Sequence, residues 1–474
     1  MLEKDFKRKE KELLYSTKNI WLKYISKADR KKVFKFASEY MTFLDKCRTE
    51  REVIADIKKK LDSKKYKEAY LGKKIGNQSK YYLINRNKNI AIVRNGKKDL
   101  KDGINIIVSH IDCPRLDLKQ NPLYEDIDIA LFKTHYYGGI KKYQWLNIPL
   151  AIHGKIILKS GKEIDLSIGE DPADPVFVIS DLLPHLSHKL HDSKKSKDFI
   201  KGEDLNLIVG SMPYEHKDLK NPVKFYILDL LNKEFGIVEK DFLSAEIEIV
   251  PALKTRHGGF DQSMILGYGH DDRSCSYAAF RALVDSIEPL RTSVVLFADK
   301  EEIGSDGTTG LKSKFFYDLI GEICANEKKQ YSERDIRLLM YRSSAISADV
   351  NSVINPSFKT VHEKANASKL NHGIVLTKFT GSGGKYSSSD ADAEFIYKLS
   401  SLFDKKKISW QIGEIGKIDE GGGGTVGKYI ASWGMDVIDS GLGVMGMHSP
   451  YEIISKGDLY ETYSAYKVFL KNFI

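Results

Sequence analysis

Ser293-Val-Val-Leu-Phe-Ala-Asp-Lys-Glu301-Glu302-Ile-Gly-Ser305 decides how the rest of the chain is read. Val294 to Phe297 is an apolar run with the length of a buried strand. It ends in two adjacent carboxylates followed by a glycine turn. Two acids at a strand's carboxyl end cost free energy unless positive charge sits between them. In an open α/β sheet that edge is also where ligands collect. The simplest explanation is a metal site in which one acid binds the ion and the other handles a proton. The alternative is a solvated Glu pair in a surface turn, and the other acids and histidines have to decide.

Outward from this run, Asn105-Ile-Ile-Val-Ser-His110 is a second compact strand that ends in polar residues. After Gly267, strands and helices alternate. Ser274 to Ile287 reads as an amphipathic helix with Tyr277, Phe280, Val284 and Ile287 on one face. Another helix lies near Lys312 to Asn326 and a third from Ala391 to Phe403. Ser344-Ala-Ile-Ser-Ala-Asp349, Gly373-Ile-Val-Leu and Trp410-Gln-Ile-Gly read as strands. Gly421 to Gly424 opens one more helix, and a last strand leads to His448. Such alternation needs crossover connections, so an α/β fold is expected, with a mostly parallel central sheet and flanking helices.

The first hundred residues look helical and charged; Tyr40-Met-Thr-Phe-Leu and Val53-Ile-Ala-Asp-Ile have apolar spacings near three and four. From about Asn121 to Val250 the character changes. Ile152 to Ser167 reads as a hairpin turning at Ser160-Gly161, Ser187 to Lys220 as polar and loop-like, and Phe242 to Val250 as a half-exposed strand. The expected division is a discontinuous catalytic domain, 1–121 and 251–474, carrying an inserted β-rich domain, 122–250.

A length of 474 residues accommodates this, and 42% hydrophobic with 11% aromatic residues is ordinary globular composition. No uncharged apolar run approaches the roughly 20 residues that span a bilayer. The opening Met1-Leu-Glu-Lys-Asp-Phe-Lys-Arg-Lys-Glu has no apolar core, so no signal peptide is expected. Cys47, Cys113, Cys275 and Cys324 are widely spaced with no CxxC pair, which argues against a disulfide framework and a cysteine zinc site. A cytoplasmic setting follows. The net charge of +10 comes from lysines that alternate with acids along the chain. It reads as a solvated surface, with no nucleic-acid module.

Polar clusters stand at strand ends or turns of the α/β part: His110-Ile-Asp112, Asp271-Asp272, Glu301-Glu302, Asp349 and the loop histidine His448. Two His, two or three Asp and a Glu pair, with no Cys, suit a borderline-to-hard divalent metal. A dinuclear hydrolase needs one bridging carboxylate, about two terminal ligands per ion and a free base, and this inventory supplies them. Singly each cluster is weak: His448 fits an ordinary loop histidine, and Asp271 or Asp272 an N-cap.

Ser109-His-Ile-Asp-Cys-Pro114, Gly269-His-Asp-Asp-Arg-Ser274, Asp299-Lys-Glu-Glu-Ile-Gly-Ser305, Ser347-Ala-Asp349 and Met447-His-Ser449 together carry a resemblance. In their order and spacing the chain resembles the aspartyl aminopeptidase family, co-catalytic dinuclear zinc aminopeptidases, over nearly its whole length. The resemblance implies two divalent metal ions per subunit, Zn2+ first, with Co2+ or Mn2+ as alternatives. His110, Asp271 and Asp349 would hold one ion, and Asp271, Glu302 and His448 the other. Glu301 would be the general base that takes the proton of a metal-bound water, with Asp112 orienting His110. The resemblance further implies a peptide substrate cleaved at its N-terminal residue, with acidic residues preferred. It makes the insertion the assembly domain of a tetrahedral homo-dodecamer, from which His185 would reach a neighbouring active site; His188 and His191 lie nearby. Two positions depart from the family: Asp272 stands where many members have Asn, and Lys378 is offset by about one place from the substrate-binding lysine. Asp272 reads as a helix cap or a partner of Arg273.

Gly422-Gly-Gly-Thr-Val-Gly427-Lys428 nearly fits a phosphate-binding loop, but Tyr429 stands where Ser or Thr should reach magnesium. There is no Gly-x-Ser-x-Gly elbow and no His-Glu-x-x-His helix. The competing readings are a non-catalytic self-assembling or cargo protein on the same fold, and a deacylase on the same scaffold.

Overall fold

Ile106-Ile107-Val108 and Val294 to Phe297 are apolar on both faces, the pattern of strands covered on both sides. The computed structural model describes residues 3–192, 194–286, 288–327 and 330–474. Among these, nine strands form one sheet in the order Lys67–Ala69, Lys80–Asn85, Asn89–Arg94, Ser293–Ala298, Asn105–His110, Ser344–Ser347, Asp436–Gly441, Ile374–Thr377 and Trp410–Ile412. The four middle strands, from Ser293–Ala298 to Asp436–Gly441, run parallel side by side. Antiparallel pairings flank them, so the sheet is mixed with a parallel centre. Alternation sends Ile107 into one core and Ile106 with Val108 into the other. On the first face Phe36, Ile57, Phe280, Phe395 and Phe469 pack from five helices. On the second, Phe316, Leu319 and Leu339 pack from helices Phe315–Glu327 and Glu333–Tyr341.

Six further strands form an antiparallel sheet in the order Glu163–Ile168, Leu150–Ile157, Glu246–Pro251, Arg115–Asp126, Ile129–Tyr137 and Asn206–Gly210. It has its own core, including Leu116, Phe132, Trp145 and Ile249. Its strand Arg115–Asp126 begins five residues after His110, so this sheet leaves the central one at the carboxyl edge. A smaller sheet holds Met264–Gly267, Glu452–Ser455 and Gly443–Met445, and it delivers Asp271 and His448 to the same edge.

Several expectations need correction. The first hundred residues are not all helical: Lys80–Asn85 and Asn89–Arg94 form a hairpin at the sheet's flank. Its turn uses Arg86 and Asn87 at positive φ, so no glycine announced it. Between 122 and 250 the chain also holds helices Pro184–His191 and Pro222–Phe235, each opened by a proline at its start. Glu246–Pro251 is buried beyond its first residue because it lies between two other strands. Gly422-Gly423 pair with Gly381-Ser382 as a short ladder, and the helix begins only at Gly427. The helix expected from Ser274 runs from His270 to Val284, and Ile287 lies outside the described residues.

Candidate metal centre

Each predicted ligand sits where a buried element ends. His110 closes a strand buried at every position, and its carbonyl accepts from Ser276 Oγ at 2.8 Å. After Ala298 the chain turns through Lys300 at φ +66 and Gly304 at φ +94, which folds Glu301 and Glu302 back over the strand ends. Asp349 lies one residue past the bond from Ala348 N–H to Val108 O (2.7 Å). The neighbouring strand approaches it so closely that a Cβ on Gly441 would stand 2.1 Å from the Asp349 carbonyl oxygen. Asp271 opens its helix behind Gly269, the N-cap, and its peptide bond to Asp272 is cis. Neither aspartate caps the helix.

Asp271 stands between two donor groups and offers one oxygen to each. Its Oδ1 is 3.3 Å from His110 Nε2, which is 3.8 Å from Asp349 Oδ1. Its Oδ2 is 3.2 Å from His448 Nε2, which is 3.5 Å from Glu302 Oε2. Among the described residues, His110, Asp271 and Asp349 form one group able to hold a cation, and Asp271, Glu302 and His448 another. Glu301 belongs to neither group but lies within their field.

The imidazoles are oriented from behind. His110 Nδ1 is 3.0 Å from the Asp112 carbonyl oxygen and 3.4 Å from Asp112 Oδ1. His448 Nδ1 donates to Gly139 O at 2.9 Å. Both Nε2 atoms are thereby turned towards the carboxylates. The Asp112 carboxylate also accepts the N–H groups of Glu301 (3.1 Å) and Glu302 (3.2 Å) and the hydroxyl of Tyr137 (2.8 Å). It therefore fixes a ligand histidine and the acid pair together.

Without cations the cluster is crowded with charge. Burial, then Asp271, pushes the Glu302 carboxyl well above the usual range; burial followed by Asp271 and Glu301 does the same to Asp349. Burial pushes Glu301 up to about 7, with Asp112 and Asp271 adding to the rise and the two histidines opposing it. Burial would lower His448, yet the Asp271 hydrogen bond and the Glu302 charge outweigh it and lift the imidazole to about 10. Glu302 Oε1 is buried without a hydrogen-bond partner among the described residues. Four acids, Asp271, Glu301, Glu302 and Asp349, match the charge of two divalent cations, and an all-N/O donor set suits zinc.

Asp272 does not pair with Arg273, whose guanidinium instead donates to the carbonyls of Ile111 (3.2 Å) and Arg48 (2.7 Å). Asp272 is fully buried, and burial together with Asp349 pushes its carboxyl well up. His185, His188 and His191 lie on the helix Pro184–His191, not in a loop; His185 is exposed and does not join the cluster within this chain. His188 faces Asp192 at 3.1 Å and His191 packs on Phe199. Sequence reasoning missed Glu452, Tyr137 and the Gly139 carbonyl. They reach the centre through tertiary packing, and no local motif marks them.

A parallel-centred α/β sheet with this donor set at its carboxyl edge is the build of a metal-dependent hydrolase. The family model described as aminopeptidase I zinc metalloprotease (M18) matches residues 43–470. The probable M18 family aminopeptidase 1 of Clostridium acetobutylicum is 44% identical over 468 residues, covering 97% of this chain and 99% of the relative. The crystal structure of an M18-family aminopeptidase from Thermotoga maritima is 45% identical, superposes with a TM-score of 0.92, and covers 97% of this chain and 100% of that one. A structure of the S. cerevisiae mApe1 dodecamer shares the fold at 23% identity and a TM-score of 0.76, covering 92% and 96% of the two chains. The chain belongs to the M18 family and is a metal-dependent aminopeptidase.

Proposed function

We propose that the enzyme works with two ions, Zn2+ first and Co2+ or Mn2+ as alternatives, bridged by Asp271. His110 and Asp349 would complete one site, Glu302 and His448 the other. The carrying observation is the split of Asp271, with Oδ1 3.3 Å from His110 Nε2 and Oδ2 3.2 Å from His448 Nε2. Bound there, two divalent cations would supply Lewis acidity, lowering the pKa of a water towards about 7 and polarising the peptide carbonyl. Glu301 is the general base. Its carboxylate takes the proton of the attacking water and returns it to the leaving amine. Asp112 keeps His110 and the backbone of Glu301 in register, which preserves the distance over which that proton moves.

The substrate is a peptide with a free N-terminus, and an acidic first residue is the preference the family resemblance supports. Residues 122–250 serve assembly into a homo-dodecamer. Exposed Val176, Leu186, Met212, Phe225 and Leu243 in that stretch support this, as does the dodecamer formed by the yeast fold relative. His185, exposed on its helix, is the residue offered to a neighbouring site. A cytoplasmic setting is supported by the buried free thiols of Cys47, Cys113 and Cys275, and no described helix is long and apolar enough to cross a membrane.

Glu301→Gln tests the base. Metal content should stay at the wild-type level while kcat falls by about 10²–10⁴-fold or more, the range for losing a general base. Unchanged turnover on aminoacyl substrates would contradict the assignment.

A further inference from the structure

Glu452 opens the strand Glu452–Ser455, where it pairs with Gly267, and its side chain is 1% exposed. Each of its oxygens holds the backbone of one predicted ligand. Oε1 accepts the N–H of His448 at 2.8 Å, and Oε2 accepts the N–H of Asp271 at 3.1 Å. These two ligands come from segments far apart in the chain and share the same group of donors. His448 stands at φ +64, a left-handed conformation that a histidine adopts only when its surroundings hold it. Asp271 is held from its other side as well, where its carbonyl accepts from Cys113 Sγ at 2.9 Å.

The geometry points to Glu452 as a positioning residue for the second ion. One carboxylate sets the separation of His448 Nε2 and Asp271 Oδ2 (3.2 Å) by fixing both main chains from which they project. The carboxyl group is suited to this because each of its two oxygens accepts one of the N–H groups. A glutamine of the same shape keeps one acceptor and turns an NH2 towards the other N–H, so one of the two bonds is lost. Asp271 keeps its second hold from Cys113 Sγ, so His448 is the ligand that moves, and the donor group it shares with Glu302 loosens. The group formed by His110, Asp271 and Asp349 keeps its own supports, Asp112 behind His110 and Cys113 behind Asp271. This inference rests on the two-ion reading above.

The test is zinc titration of the full-length protein against a chromophoric chelator, with wild type, Glu452→Gln and Glu452→Asp. Wild type is expected to bind two ions. In Glu452→Gln one ion should bind about 10–100-fold more weakly, as is usual when a residue behind a ligand is changed, with the other little affected. Glu452→Asp, a carboxylate one methylene short, should fall between the two. Aminopeptidase activity should drop at limiting zinc and recover when zinc is in excess, a rescue that a merely structural role would not give. Wild-type affinity for both ions in Glu452→Gln overturns the proposal. So does activity that excess zinc fails to restore, or loss of the folded metal-free state in both variants. Fewer than two ions on the wild type would instead overturn the two-ion reading, and this proposal with it.

Discussion

In the proposed mechanism Asp271 and Glu301 divide the chemistry of the site between them. Asp271 faces both histidines, and their hydrogen bonds hold its carboxyl well below the usual range against the effect of burial. Glu301 is pushed the other way, up to about 7 in the cation-free cluster, because burial and two neighbouring acids disfavour its charge. As the proposed base, Glu301 would work only as the carboxylate, so activity should be lost as pH falls through its pKa. Cations beside it favour the carboxylate and lower that pKa. The acid limb of kcat/KM should therefore have its midpoint below about 7, and a pH–rate profile of the zinc enzyme checks this. A midpoint at or above 7 would contradict the role of Glu301. At this scale much was readable in advance. His110, Asp112, Asp271, Glu301, Glu302, Asp349 and His448 each end a recognisable strand or open a turn or helix, and the structure brings them together. Glu452 and Tyr137 were not readable, because an acid at a strand start and a tyrosine in a distant sheet carry no local sign of what they contact.

At the scale of elements, Glu170 ties the second sheet to Arg48, which stands between the helices Lys27–Lys46 and Glu50–Ser63 that cover the central sheet. Its carboxylate lies 2.8 Å from Arg48 Nε, 2.6 Å from Lys254 Nζ and 3.3 Å from His153 Nε2. Burial alone would raise Glu170, but His153, Arg48 and Lys254 outweigh it and bring the carboxyl down to about 2. The folded pKa is depressed, so the stabilisation is present above the unfolded value, about 4.3, and is lost as pH falls towards 2. Glu170→Gln should cost about 3 kcal/mol near neutral pH, the lower end for breaking a largely buried pair. Thermal melts between about pH 7 and pH 3 check it: the gap between variant and wild type should narrow on acidification. A gap that stays constant would contradict the depressed pKa. Strand-rich segments with continuous apolar runs, Asn105–His110 and Ser293–Ala298, were legible with their boundaries. Helices Pro184–His191 and Pro222–Phe235 were hidden by a polar, lysine-rich or turn-like context, and the Lys80–Arg94 hairpin by its glycine-free turn.

Across the whole molecule, three sheets meet at one edge. The central sheet supplies His110, the Glu pair and Asp349; the small sheet brings Asp271 and His448; and the antiparallel sheet contributes Tyr137 to Asp112 and leads to the Gly139 carbonyl under His448. The sheet proposed to serve assembly is thus also in hydrogen-bond contact with the candidate metal centre. The parallel centre was legible from strand and helix alternation, whereas the antiparallel flanks depend on pairings between distant segments that periodicity does not encode. The most direct measurement is anomalous diffraction at the zinc edge from crystals soaked in zinc. Two peaks roughly 3.5–4 Å apart on either side of the Asp271 carboxylate are expected. A single peak, or peaks away from Asp271, would contradict the bridged two-ion centre.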